Sequence, residues 1–132
     1  MILLVNIDVP DIPAAVVFYT AAFGLHAARC FGDDGVELLG ASVPIYPLRK
    51  PPGSVGAATS PRDYDRHWSS VHCDVVVDDI DRALARAISA GAVQEGDVRN
   101  AVWGRIVQLA DPFGHGWCLL QFLGRGYDEI AT

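Results

Sequence analysis

A chain of 132 residues, 51% hydrophobic and 20% charged, has the size and balance of one globular domain and is not the composition of a disordered segment. A formal net charge of −6, with basic residues that gather into no run, repels phosphate backbones and anionic headgroups, so nucleic acid and membrane surfaces are excluded as expected partners. Nor does any apolar stretch approach the roughly 18 residues that a bilayer-spanning helix needs.

The first ten residues, MILLVNIDVP, have no positively charged leading region and no small-residue cleavage site, and they read as a strand. Alternation divides that strand into an apolar row, Val5, Ile7 and Val9, and a mixed row, Leu4, Asn6 and Asp8. Asp11 then stands as a helix N-cap, with Pro13 tolerable in the first turn. Ile12, Val16, Tyr19 and Phe23 recur at helical spacing and predict the buried stripe, closed by Gly24. Three short strands follow, His26–Phe31, Val36–Leu39 and Val43–Arg49, the first two joined by a Gly32-Asp33-Asp34-Gly35 turn. Residues 51–68, rich in proline and glycine, form a loop between halves. Its Arg62–Trp68 run, RDYDRHW, is a solvated segment or a cap over a cleft.

The second half repeats the first. Val71, Cys73, Val75 and Val77 form an apolar row opposite His72, Asp74 and Val76, and Asp79 caps a helix carrying Ile80, Ala83, Leu84, Ala87 and Ile88 up to Gly91. Strands are expected at Ala92–Gly96, Val102–Ala110 and His115–Leu123, with an Asp111-Pro112-Phe113-Gly114 turn before the last. In that last strand Cys118 falls on one face and Trp117 on the other. Asp11 and Asp79 lie sixty-eight residues apart at matching places, each ending a strand and opening a helix, so the chain reads as two copies of one strand–helix–three-strand module. The modules are residues 1–50 and 69–124 of a single domain, and the polar tail 125–132 drapes over a neighbour or is disordered. The three cysteines, Cys30, Cys73 and Cys118, are odd in number and lack C-x-x-C spacing. A reducing compartment, the cytoplasm, is expected, without a disulfide framework or zinc knuckle.

Val9-Pro10-Asp11-Ile12 with Phe18-Tyr19 and Phe23-Gly24-Leu25, then Val77-Asp78-Asp79-Ile80, then Asp111-Pro112-Phe113-Gly114-His115, occur in an order that resembles the vicinal oxygen chelate superfamily of glyoxalases, extradiol dioxygenases, fosfomycin-modifying enzymes and bleomycin-binding resistance proteins. The final motif is similar to the family's D-P-x-G-N turn, with His115 in place of the asparagine. The resemblance implies an α+β fold in which tandem βαβββ modules form a curved, half-open barrel-like mixed sheet, with helices on its convex face and a ligand inside the curve. It also implies pairing into homodimers. Metal-dependent members take ligands from the first and last strands of each module. Carried onto this chain, those places are Leu4, Ile45 or Tyr46, His72 and Cys118. An aliphatic Leu4 cannot coordinate an ion, and Asp74 follows His72 at a displacement of two residues, so no metal and no cofactor are expected.

The site expected from these readings comprises Asn6, Asp8, Tyr46, His72, Asp74, Trp103 and Cys118 as ligand-binding residues, with no catalytic residue assigned. The leading functional expectation is a metal-independent small-molecule-binding protein that holds a planar or amphipathic ligand. The alternatives are a metal-dependent lyase, isomerase or dioxygenase built around His72 and Cys118, and an assembly module without a small-molecule site. No nucleophile elbow, phosphate loop or dinucleotide fingerprint is present.

Overall fold

Each helix starts where an aspartate caps it. In helix α1 (Ile12–Phe23) the Asp11 carboxylate accepts from the Ala14 N–H at 2.7 Å, and in α2 (Ile80–Ala90) the Asp79 carboxylate accepts from Arg82 N–H at 3.0 Å. Each ends at a left-handed glycine, Gly24 (φ 71°) or Gly91 (φ 114°). These local signals act within a few residues, which is why both helices fall where the sequence places them.

The computed structural model describes all 132 residues as two units, Met1–Asp65 and Arg66–Thr132. The first holds β1 (Val5–Val9), α1, β2 (His26–Cys30), β3 (Val36–Leu39) and β4 (Ile45–Arg49), followed by a small hairpin of β5 (Val55–Ala57) and β6 (Ser60–Pro61) inside the expected loop. The second holds β7 (Cys73–Val76), α2, β8 (Val93–Ala101), β9 (Gly104–Ala110), β10 (Gly116–Phe122) and a terminal 3-10 turn, Gly126–Glu129. Their mixed sheets have the same order, β1-β4-β3-β2 and β7-β10-β9-β8, with the first and last strands of each module parallel and the others antiparallel. The repeat is therefore structural, and the fold is α+β. No helix is long and apolar enough to cross a membrane.

Three details differ from the expectations. In α1 the buried stripe is Ala15, Phe18, Tyr19 and Ala22, with Ile12, Val16 and Phe23 only half-buried beside it. The helix is apolar nearly all round, so periodicity alone does not fix its inward face. In α2, Ile80 and Ala87 are buried while Ile88 is exposed. Strand β8 runs on to Ala101, and the turn takes Val102 and Trp103, which had been expected to begin the next strand. The cause is a bulge: Glu95 pairs with Gln108 but Arg99 pairs with Ile106, so two extra residues of β8 are absorbed in between. The tail is ordered by Tyr127, whose ring lies 4.8 Å from Phe122 and 5.4 Å from Trp103.

Candidate functional site

Strand pairing draws a row of four side chains across one face of the second sheet. Glu95 pairs with Gln108, Gln108 with Cys118, and Cys118 with Asp74. Direct partners in neighbouring strands point the same way, so Glu95, Gln108, Cys118 and Asp74 stand side by side. Residues one step along β10, Trp117 and Leu119, point to the opposite side and are buried together with Val107, Leu109 and Ile80. Register is what separates the two faces. It is fixed at the start of β10, where the Trp117 indole donates to Asp111 at 3.0 Å.

At the two ends of the row sit two basic side chains. His72, just ahead of β7, brings Nε2 to 3.7 Å from the Asp74 carboxylate. Arg66 grips Glu95 with two parallel hydrogen bonds, Nε and Nη2 each at 2.9 Å, while Nη1 donates to the His67 carbonyl. The guanidinium lies against Gly116, where a Cβ would come within 2.7 Å of Nη2. Between these ends is a pocket of about 140 Å³ lined by Arg66, Trp68, His72, Gln108, Trp117 and Cys118, among others. The Gln108 amide is exposed and engages no protein partner, so it faces the pocket as an open donor and acceptor.

Cys118 is buried, and burial together with the neighbouring Asp74 charge and hydrogen bond pushes its thiol up to about 11, with Arg99 pulling weakly the other way. The thiolate is thus scarce at neutral pH, and the side chain acts as a weak donor rather than a nucleophile. Iodoacetamide at pH 7.5 is expected to alkylate exposed Cys30 well before Cys118, as read by peptide mass spectrometry; equal rates would refute this protonation state.

In the first unit, Asn6 pairs with Tyr46, and Tyr46 Oη donates to Glu37 at 2.7 Å. Arg29 holds the same carboxylate through Nε at 2.9 Å and Nη2 at 2.6 Å. Asp8 is paired with Arg62 at 2.7 Å. Ile45 is buried on the other face, so only Tyr46 of the two alternatives stands with Asn6. Glu37, Arg29, Glu95 and Gln108 are not expected from the sequence, and Arg62 and Arg66 only as members of the RDYDRHW run. The one available signal was Glu37, a carboxylate set among Val36, Leu38 and Leu39. Trp103, expected at the site, instead lies in the β8–β9 turn beside Tyr127; adjoining Gly104 pairs with Phe122, six residues and so about 20 Å along β10 from Gly116.

Hydrogen bonds from Arg29 and then Tyr46 pull the Glu37 carboxyl down to about 2. A carboxyl depressed in the folded state stabilises the fold above its unfolded value, and that contribution is lost as pH falls through the folded value. Melting of the native chain is therefore expected to lose an increment between about pH 4.5 and 2 that Glu37→Gln lacks. Parallel pH–Tm curves for the two proteins would contradict it.

Residues 4–120 match the model of the glyoxalase-like domain family. The chain belongs to that family. Among curated proteins, an uncharacterized protein of Mycobacterium bovis is 31% identical over 124 residues, 88% of this chain and 80% of its own length. A second relative, from Mycobacterium tuberculosis, shares the same identity, with 71% of its length covered. Among solved structures, the fosfomycin resistance protein FosX of Listeria monocytogenes superposes with a TM-score of 0.71 at 15% identity, over 93% of both chains. TioX of a Micromonospora species gives 0.70 at 21%, over 93% of this chain and 99% of its own. Lactoylglutathione lyase of Agrobacterium tumefaciens gives 0.64 at 20%, over 92% of each. These likenesses establish the vicinal oxygen chelate fold for the glyoxalase-like chain.

Metal-dependent members of this superfamily need a donor set, and the glyoxalase-like chain has one group of three. Ligand atoms of His72, Asp74 and Cys118 lie within 4.8 Å of one another, so Asp74, displaced by two residues along its strand, still reaches the other two. The reason is lateral: Asp74 is the direct parallel partner of Cys118. Donors around one tetrahedral ion, with bonds of about 2.0–2.3 Å, stand about 3.3–3.8 Å apart. The three side chains fit an ion in type and number, and would hold it after closing by about 1 Å and after the Cys118 proton leaves. Such an ion would supply Lewis acidity at the floor of the pocket.

Proposed function

We propose that this glyoxalase-like domain binds a small planar or amphipathic organic molecule in the pocket of its second unit, without a divalent metal. The observation that carries this reading is a pocket in which polar groups remain open beside indole surface: the Gln108 amide, unused N–H groups of Arg66, and the exposed ring of Trp68. In the first unit the corresponding groups already engage one another, Tyr46 and Arg29 on Glu37 and Arg62 on Asp8. Metal independence draws support from Leu4, a hydrocarbon at the family's first ligand place, and from the proton that Cys118 retains at neutral pH. Equilibrium dialysis against a panel of planar metabolites, with and without chelator, tests it. Retention of a ligand unaffected by chelator is expected; binding or turnover that vanishes with chelator would overturn it.

A second reading is favoured by the His72, Asp74 and Cys118 cluster: a metal-dependent lyase, isomerase or dioxygenase. A mutant of FosX from Listeria monocytogenes has been captured with Mn(II) and a dihydroxypropylphosphonic acid. Elemental analysis of untagged protein decides between the readings, a stoichiometric metal favouring the enzyme. The homodimer and the cytoplasmic setting belong to the same proposal. The exposed apolar segment Met1–Leu4 and the three unpaired cysteines speak for them, and small-angle scattering would test the dimer.

A further inference from the structure

We infer that the ligand of the second-unit pocket is a small planar monocarboxylate, with Arg66 taking its charge. The inference rests on the small-molecule reading above and narrows it to a chemical class. Size sets the first limit. A volume of about 140 Å³ lies well below the roughly 300–1,000 Å³ of drug-sized pockets, and an apolar cavity of about 150 Å³ accommodates benzene. One six-membered ring with one substituent fills such a space.

Charge sets the second. A guanidinium has five N–H donors; Glu95 takes one from Nε and one from Nη2, and the His67 carbonyl takes one from Nη1. One N–H remains on each terminal nitrogen, a fork suited to the two oxygens of a carboxylate. Glu95 holds the fork in one orientation, which removes much of the entropy that ordering a free arginine would cost. Gly116 gives the guanidinium its place, since any side chain there would occupy it. Glu95 neutralises Arg66 in part, but Arg99 supplies a second cation: it pairs with Ile106, two residues along β9 from Gln108 on the same face, and its field reaches Cys118. Beside Glu95 and Asp74, the Asp111 carboxylate also acts on Arg66, so the pocket takes a single negative charge only where it lies directly on the Arg66 fork. A dicarboxylate would set its second charge against Asp74. The Gln108 amide and the exposed Trp68 side chain line the same pocket, and the Trp68 indole offers a face for the ring.

Isothermal titration calorimetry with benzoate and its neutral isostere benzamide tests the inference on the native chain, with Arg66→Met and Arg66→Lys as variants. Benzoate is expected to bind at least tenfold more tightly than benzamide. Arg66→Met should erase that preference, with benzoate losing at least tenfold more affinity than benzamide, and Arg66→Lys should keep only part of it. If native protein binds both probes equally, or if Arg66→Met keeps the preference, the carboxylate assignment is wrong and the planar-ligand reading survives. If neither probe binds native protein, both are overturned. The native comparison decides even where a variant fails to fold.

Discussion

Asp111→Ala is expected to destabilise the chain by about 3–5 kcal/mol, the largest single-residue effect outside the apolar core, because it strands two buried donors and a third that is part-buried at once. The Asp111 carboxylate accepts from the backbone N–H of Phe113 at 2.8 Å and of His115 at 3.0 Å through one oxygen, and from the Trp117 indole at 3.0 Å through the other. Asp111 is only 6% exposed, so water cannot replace it. Asp111→Asn retains an oxygen for the two backbone donors but turns an amide N–H toward the indole, and about 1–3 kcal/mol is expected. Urea unfolding measures both; a loss below 1 kcal/mol for alanine would show that the turn is held by Pro112 and Gly114 alone. The same geometry explains why histidine can stand at position 115, where the D-P-x-G-N motif that this turn resembles has asparagine. What the turn requires of that residue is its N–H on Asp111 and its carbonyl for the Asp111 N–H at 2.9 Å, both backbone groups.

That bond network also marks the boundary between what the sequence reveals and what it hides. Asp11 and Asp79 cap helices a few residues away, and strand alternation puts Asn6 with Asp8 and His72 with Asp74; all of this is local and legible. Cys118 and Asp74 are forty-four residues apart, joined by a parallel pairing that no local pattern announces. A hydrogen bond from Trp117 to Asp111, not the composition of β10, decides that Cys118 turns to the pocket. Glu95 and Gln108 were overlooked for a related reason. The bulge after Glu95 breaks the alternation of β8, and a strand of exposed polar residues such as Gln94, Asp97, Arg99 and Asn100 carries no hydrophobic period. Arg66 was visible only as one charge in the RDYDRHW run, and its role depends on Gly116, fifty residues later. The fold could be read because its repeat is written twice. The site could be read only in part, since it depends on register between strands distant in sequence.

Gly116→Ala is the second large effect, and it falls on binding rather than stability. Gly116 has no left-handed φ, so an alanine meets no backbone strain there. Its Cβ would come 2.7 Å from Nη2, 3.1 Å from Cζ and 3.2 Å from Nη1 of Arg66, all atoms at the free end of a flexible side chain. The arginine swings away, and the cost is the partly exposed pairing with Glu95, about 0–1 kcal/mol. The fork, however, leaves the pocket. Benzoate affinity should fall at least tenfold, about 1.4 kcal/mol, while benzamide, which depends more on the Trp68 indole and Gln108, should change much less. Urea midpoints near native together with a collapsed benzoate preference would mark Gly116 as the seat of the anchoring arginine. An unchanged preference would show that the guanidinium reaches the ligand from elsewhere, and Arg99 would then be the residue to substitute next.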